Sequence, residues 1–239
     1  MNSRITGRLL SAMMAVGLLA SASQAATLAL SSNADTYLRD ATIRGTATFM
    51  DVRGAAVDFR GYLRFDLSAI PAGSTITGAT LSLFQVPGAS RNDGVTTARF
   101  ALYGLDNASG NTPQNWDEAT FVIGGKGTED VTTLTGVTDL DDNVAGITET
   151  ATGTSPNGLI TVAGSPVASF LQTRFGDGGL ATFILSNDDA TDRGFGLGTK
   201  ENTDPTKVPV LTIEYTVPEP TSLVGLASAL ALTAMRRRK

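Results

Sequence analysis

The clearest alternation of hydrophobic and polar residues lies in residues 60–84, RGYLRFDLSAIPAGSTITGATLSLF. A period of two is the pattern of a β-strand with one face in the core and one face in water. Two such strands follow one another, and the segment between them carries a Pro and a Gly where the chain must turn. The pattern therefore predicts an antiparallel pair at the centre of the fold. The predicted core residues are Leu63, Phe65, Leu67, Ala79, Leu81 and Leu83, and the opposite face of the first strand carries Tyr62, Arg64 and Asp66.

The rest of the chain continues as short strands separated by turn residues, of which Gly45 and Gly54 are two. Many short strands with such turns are typical of a sandwich. One helix interrupts the pattern. Ser165 can cap its start, an apolar stripe follows at helical spacing, and Gly176 can end it. We predict an all-β fold, a jelly-roll type antiparallel β-sandwich with one short helix.

Residues 1–25 have the three parts of an export signal, and we predict that they are removed as a signal peptide. Arg4 and Arg8 give a positive start, residues 9–22 form an apolar run, and Ser23-Gln24-Ala25 is a small-x-small cleavage site. A transmembrane anchor is the alternative. It fits less well because a membrane span needs about 20 apolar residues, and this run is shorter.

Composition narrows the function classes. The chain has 18 Lys and Arg against 23 Asp and Glu, a net charge of −5, and it has no Cys and no His. An acidic exported domain is a poor partner for nucleic acid. Without these two residue types the chain has no disulfides, no Ser-His or Cys-His catalytic arrangement and no His-ligated metal site.

Residues 217–239 combine three features at the end of the chain. Pro218-Glu219-Pro220 is followed by an apolar run over residues 222–235, and then by a basic cluster. A helix of that length reaches about 21 Å, short of the roughly 30 Å hydrocarbon core, and a basic end favours the cytoplasmic side. We predict a C-terminal hydrophobic helix. The basic cluster consists of Arg236, Arg237, Arg238 and Lys239.

These three features together resemble a PEP-CTERM sorting signal. The resemblance implies that an exosortase processes the chain near the Pro-Glu-Pro motif. The protein would be anchored in the inner membrane before processing and reach the cell surface or the extracellular space afterwards. A permanent tail anchor is the alternative, which would leave a membrane protein facing the periplasm.

Residues 60–84 also resemble the central signature of the DNRLRE domains, a secreted group that includes carbohydrate-binding modules. The resemblance covers residues 27–216, so we assign residues 26–216 to one DNRLRE-like β-sandwich domain. The sequence departs from the family where a Trp is expected after Phe121 and in the polar stretch that follows. The resemblance implies a secreted sandwich that binds carbohydrate. Further matching pieces are residues 34–37, 116–121, 195–201 and 209–213.

The resemblance also implies a metal site at Asp35 and Glu201, which occupy the recurrent acidic positions of the family near its first and last strands. A hard cation such as Ca²⁺, bound by carboxylates and carbonyls, would join the two ends of a domain without disulfides. The alternative is that both residues cap turns or pair with Arg39 or Lys200. A second acidic stretch, residues 124–157, lacks the Gly and Glu of an EF-hand, which favours a solvated loop.

Aromatic rings beside charged side chains are the candidates for sugar binding. A ring can stack on a pyranose while Arg and Asp hydrogen-bond its hydroxyl or carboxylate groups. Large aromatic residues are more often part of the core, and an Arg on a strand can form a cross-strand ion pair, so both interpretations remain open. The ligand-binding candidates are Trp116, Tyr62, Arg64, Arg99 and Asp117.

Three function classes follow. The first is a non-catalytic surface or matrix protein whose sandwich binds polysaccharide, the exopolysaccharide or biofilm material that such sorting systems serve. The second is a purely structural matrix or coat protein without specific glycan binding. The third is a polysaccharide-degrading enzyme, which is the least favoured because no residue pattern nominates a catalytic site.

Overall fold

The part of the chain that the structure describes consists of β-strands, one α-helix and one short 3₁₀ helix. The computed structural model describes residues 23–39, 42–53, 59–86, 97–105, 115–120, 140–141, 148–152, 158–186 and 194–218. In chain order the elements of this part are β1 (Gln24–Ser31), β2 (Ala34–Arg39), β3 (Thr42–Ile43), β4 (Phe49–Arg53), β5 (Arg60–Asp66), β6 (Thr75–Phe84), β7 (Thr97–Leu105), β8 (Leu140–Asp141), β9 (Thr148–Thr152), β10 (Leu159–Ala163), α1 (Ser165–Gly176), β11 (Leu180–Ser186), β12 (Gly194–Gly198), a 3₁₀ helix (Pro205–Lys207) and β13 (Val210–Val217).

The smaller sheet joins the two ends of the domain. Its strand order is β1-β13-β6-β10, and every pair is antiparallel. The alternation of its strands follows the sequence: in β13, Leu211, Ile213 and Tyr215 are buried, and the residues between them are more exposed. Ile213 pairs with Leu28 on one side and with Ala79 on the other. One apolar row therefore crosses β1, β13 and β6 and faces the core.

The larger sheet has the order β3-β2-β5-β11-β7-β8, and β9 also pairs with β7. Its central strands β5 and β11 are antiparallel neighbours, with Phe65 opposite Ala181 and Leu63 opposite Phe183. A separate two-stranded ladder of β4 and β12 places Met50 opposite Leu197. The side chains of all six residues are fully buried, so these strands contribute to the core.

The helix α1 packs against strands of both sheets. The Phe170 and Phe183 rings lie 5.2 Å apart between centroids, and the backbone N–H of Ile76 donates to Gln172 Oε1 at 2.7 Å. Gly104 makes room for the helix, because a Cβ there would overlap the Phe170 ring. The helix thus belongs to the main core, which also contains Leu63, Phe65, Leu67, Leu81, Leu83, Val162, Leu171, Leu185, Phe195, Leu211 and Ile213.

These observations confirm the predicted all-β class with antiparallel sheets and one α-helix. The helix spans the residues that the sequence indicated, but the prediction that Ser165 caps it is wrong. Gly164 is the cap residue, no side chain bonds to the first turn, and Ser165 is the first helical residue. Gly176 is the last helical residue, and Asp177 follows as the C-terminal cap.

The outer face of β5 differs from the half-exposed strand that the alternation indicated. Tyr62 is only 1% exposed and belongs to a second hydrophobic cluster on this face. The face is covered by a segment far away in sequence, which contains Trp116. The larger sheet is therefore apolar on both sides at this point. The buried members of the second cluster are Ala34, Leu38, Tyr62, Leu105, Trp116 and Ile184.

Candidate functional site

Asp35 is a buried acid at the start of the larger sheet. It lies in β2, where strand alternation places it on the same side as Tyr37 and opposite Leu63 of β5, both of which belong to the main core. Only 1% of the residue is exposed. Its Oδ2 accepts hydrogen bonds from the Ser32 hydroxyl at 2.9 Å and from the backbone N–H of Lys200 at 2.8 Å.

Glu118 reaches Asp35 from residues 115–120. Asp117 shapes this segment, because its Oδ1 accepts the backbone N–H groups of Ala119 and Thr120 at 2.9 and 3.1 Å and so fixes a tight turn. Gly45 lets the segment approach, since a Cβ at Gly45 would overlap the Glu118 carbonyl. Glu118 Oε2 accepts the backbone N–H of Asp35 at 3.3 Å.

Glu201 and Lys200 come from the turn that follows β12. The Lys200 ammonium group binds Glu118 Oε1 at 2.8 Å and also binds Glu201 Oε1. One carboxylate oxygen from each of Asp35, Glu118 and Glu201 lies within 4.8 Å of the others. We call these three residues the carboxylate cluster. It brings together β2, residues 115–120 and the turn after β12, which are far apart in sequence.

The electrostatics of the carboxylate cluster follow from its burial. Burial raises the pKa of Asp35 to about 7, and the adjacent Glu201 carboxylate adds to the rise, whereas the hydrogen bonds from Lys200 N–H and Ser32 oppose it. Partial burial alone would lower the pKa of Lys200, but its bonds to Glu118 and Glu201 raise it above the usual value. The cluster therefore holds more negative charge than one ammonium group balances.

Two carboxylate oxygens of the cluster are buried and accept no hydrogen bond from the described residues. These are Asp35 Oδ1 and Glu201 Oε2. Buried polar atoms are normally satisfied by a partner, so this pair marks the cluster as the place where a donor or a cation fits.

The second cluster holds the predicted sugar-binding aromatic residues. Trp116 is 4% exposed, and its Nε1–H donates to Thr182 Oγ1 at 3.0 Å. The Arg64 guanidinium lies over the Trp116 ring at 5.1 Å from its centroid, donates to the Trp116 carbonyl and, from Nε, to Asn33 Oδ1 at 2.9 Å. Because Trp116 and Tyr62 are buried, the core interpretation of these rings fits the structure, and the stacking interpretation does not.

The predicted site residues thus fall into two groups. Asp35 and Glu201, expected to lie close together, do so. Tyr62, Arg64, Trp116 and Asp117 lie together around residues 115–120, whereas the side chain of Arg99 in β7 lies outside the described residues. Arg64 is half-buried and bonds to Asn33 and Trp116, in contrast to the cross-strand ion pair considered from the sequence.

The sequence prediction did not include Glu118 as a metal ligand. Its signal was present, since Glu118 is the second acid after the lone Trp, but only the fold shows that it approaches Asp35.

A cleft of about 330 Å³ lies on the smaller sheet beside the start of α1. Its walls carry hydroxyl groups and one carboxylate, that of Glu214 in β13. Gly78 on β6 permits this arrangement, because a Cβ there would contact the Glu214 carboxylate. The hydroxyl-bearing residues that line the cleft are Thr77, Thr80, Ser165 and Thr212.

The chain was compared with known proteins. It matches no protein-family model and no curated protein. The resemblances to DNRLRE domains and to the PEP-CTERM signal accordingly remain predictions made from the residues.

The terminal predictions concern mainly residues outside the described part. Of the predicted export signal, residues 1–22 lie outside the described residues and residues 23–25 lie within them. The sorting-signal residues outside the described part are Glu219, Pro220, Arg236, Arg237 and Arg238. Pro218 is the last described residue. Within the described part, no helix is long and apolar enough to cross a membrane.

Proposed function

We propose that the chain is an exported, non-catalytic surface or matrix protein whose jelly-roll sandwich binds polysaccharide. The observation that carries this proposal is the cleft on the smaller sheet. A sugar offers many hydroxyl groups that both donate and accept hydrogen bonds, and the cleft lines its walls with the same kind of group and one carboxylate. Its volume of about 330 Å³ is at the lower end of small-ligand pockets, which suits one or a few sugar rings of a longer chain.

Export and sorting are proposed from the ends of the sequence. Residues 1–25 would direct the chain across the inner membrane. The Pro218-Glu219-Pro220 motif, the apolar run and the basic end resemble a PEP-CTERM signal, so an exosortase is the proposed processing partner. The protein would be held in the inner membrane before processing and at the cell surface or outside the cell afterwards. Polysaccharide of the exopolysaccharide or biofilm type is then the ligand within reach.

The carboxylate cluster does not favour a glycosidase. In glycosidases two carboxyl groups flank the scissile bond at about 5 to 10 Å, with the sugar between them. Here the three carboxylates approach within 4.8 Å, and the Lys200 ammonium binds both Glu118 and Glu201. The Lys200 ammonium group therefore occupies the position that a glycosidic bond would need between Glu118 and Glu201. This geometry supports a non-catalytic role.

One observation favours the alternative of a purely structural matrix or coat protein. In the described residues, β1 lies at the edge of the smaller sheet and pairs only with β13. Its sequence, QAATLALS, contains neither a charged residue nor a proline. Proteins commonly use charge or proline to keep such edges from pairing with other chains. An edge strand such as β1, with neither a charged residue nor a proline, is suited to pairing with a strand of a second copy of the protein.

Binding to a panel of acidic and neutral polysaccharides tests the proposal. We expect the protein, expressed from the full-length sequence and purified, to bind at least one polymer saturably. Thr212→Val and Glu214→Gln, which change the cleft, should weaken that binding at least tenfold. Thr161→Val is the matched control because Thr161 lies on the exposed face of β10 outside the cleft.

Two outcomes would contradict this view. Saturable binding that all three variants retain would place the glycan elsewhere on the protein. Absence of binding to every polymer, with unchanged circular dichroism, would favour the structural alternative. Self-association that depends on β1 would then be the next property to measure.

A further inference from the structure

The smaller sheet carries a single charged side chain, that of Glu214. Every other residue of β1, β13, β6 and β10 is apolar or uncharged. Glu214 lies on the exposed face of β13, opposite Thr27 of β1 and Gly78 of β6. Within the described part of the chain it forms no ion pair. Its negative charge is therefore not neutralised by a neighbouring side chain of the sheet.

The local backbone directs the Glu214 carboxylate over the neighbouring strand. The register between β13 and β6 shifts at this point, because Glu214 pairs with Gly78 whereas the next residue, Tyr215, pairs with Ile76. Such a shift, as in a β-bulge, changes the direction of a side chain. A Cβ at Gly78 would come within 2.8 Å of Glu214 Oε2. The carboxylate thus lies over the β6 backbone, at the cleft that Glu214 and Gly78 both line.

The other walls of the cleft offer hydrogen-bonding groups without a positive side chain. Thr80 and Thr212 are direct cross-strand partners, and Ser165 begins α1 beside them. The first N–H groups of an α-helix lack partners within the helix, and no side chain bonds to the first turn of α1. The described residues that line the cleft include no Lys and no Arg.

This combination discriminates between sugars by charge. A protonated amine is a donor of up to three hydrogen bonds, and its bond to a carboxylate is roughly twice as strong as a bond between neutral groups. An acidic sugar would instead bring its own negative group into a cleft of about 330 Å³ that already holds Glu214 and no cation. Like charges at such short range repel, and this repulsion works against the wrong ligand.

We propose that the cleft selects polysaccharides with free amino groups, and that Glu214 binds the protonated amine of a glucosamine-type unit. The proposal rests on polysaccharide binding by the cleft and adds the chemical class of the polymer. Thr80 and Thr212 supply hydrogen bonds to the sugar hydroxyl groups, which every polysaccharide offers. Glu214 is the residue that determines specificity, and Gly78 is a positioning residue because it leaves room for the carboxylate over β6.

Isothermal titration with short oligosaccharides of equal length tests the proposal. The protein, expressed from the full-length sequence and purified, is titrated with a glucosamine oligomer, its N-acetylated form and a uronic acid oligomer. The pH is held at about 6, where a sugar amine carries a proton and an ordinary carboxyl group does not. We expect the glucosamine oligomer to bind about tenfold more tightly than its N-acetylated form, and the uronic acid oligomer to bind most weakly.

Three variants separate a local contact from the overall charge. Glu214→Gln should reduce the ratio of the two affinities, free amine to N-acetylated, to about one. Gly78→Ala should reduce it as well, although it keeps every charge, because the added Cβ displaces the flexible end of Glu214. Asp66→Asn is the matched control. It removes one exposed negative charge of the larger sheet and keeps an oxygen that can accept the Ser68 N–H, so it should leave the ratio unchanged.

The possible failures of the test are distinguishable. If sugars bind but the N-acetylated or uronic acid oligomer binds as tightly as the glucosamine oligomer, the selectivity is overturned and polysaccharide binding stands. The selectivity is also overturned if Glu214→Gln keeps the ratio, or if a lysine oligomer binds as tightly as the amino sugar, since the cleft would then recognise amines without the sugar. If no oligomer and no polymer binds, polysaccharide binding itself is overturned.

Discussion

Replacing Asp35 by Asn is expected to stabilise the metal-free protein, although it removes a fully buried hydrogen-bonded side chain. The amide keeps the shape of the carboxyl group and can still accept the hydrogen bonds from Ser32 and from Lys200 N–H. Its NH₂ group would replace the unpartnered Oδ1 and point toward the cluster, where Glu201 Oε2 lacks a donor among the described residues. The substitution also removes a buried negative charge next to Glu201.

The size of the effect follows from the pKa of Asp35. The folded-state pKa of about 7 lies above the ordinary value of 3.8, so the folded state holds a proton that the unfolded state loses between these pH values. The native protein therefore loses stability as the pH rises from about 4 to 7. A difference of about three pKa units corresponds to roughly 4 kcal/mol above pH 7. The Asp35→Asn variant avoids this loss because an amide does not ionise.

The assay is thermal or urea unfolding of both proteins in EDTA at several pH values. At about pH 8 the variant should be more stable by roughly 2 to 4 kcal/mol, or about 5 to 15 °C in Tm, and the difference should vanish near pH 4. Comparing the two proteins cancels the titration of their shared acids. A variant that is less stable at pH 8, or a difference that does not change with pH, would refute the assigned cause.

Three further substitutions test the packing around the site. Trp116→Ala should cost about 3 to 5 kcal/mol, measured by urea unfolding, because it empties the buried second cluster. Gly45→Ala should cost about 1 to 3 kcal/mol, since the added Cβ overlaps the Glu118 carbonyl. Gly104→Ala should cost a similar amount, because the added Cβ displaces the Phe170 ring. Gly176→Ala is the control for both glycines, since its Cβ meets open space, and equal costs at all three positions would contradict the packing explanation.

Strand alternation was sufficient to place the central strands, because the inward residues of β5 and β6 are apolar and one side of each strand faces the main core. Strand alternation did not predict the burial of Tyr62. A period of two identifies two faces, but it does not show that a distant segment covers the second one. The Trp116 segment lies more than 50 residues further along the chain, and its docking depends on Arg64 and Thr182. Local sequence holds no sign of these contacts.

The carboxylate cluster was likewise predicted only in part from the sequence. The proximity of Asp35 and Glu201 could be expected from a resemblance that places both near the joined ends of a sandwich. Glu118 was missed because its approach to Asp35 depends on the tight turn at Asp117 and on the missing side chain of Gly45. Both are ordinary loop features in the sequence. Only in the folded chain do both features determine the position of Glu118.

The pairing of β1 with β13 has a consequence for how the domain can be used as a building block. Ala26, the first residue after the predicted signal peptide, lies directly opposite Tyr215, so the chain enters and leaves the sandwich at adjacent positions. Domains with adjacent termini tolerate circular permutation and insertion into the loops of other proteins. The domain should therefore fold when it is spliced into a surface loop of a carrier protein, and such fusions would display its cleft without a long linker.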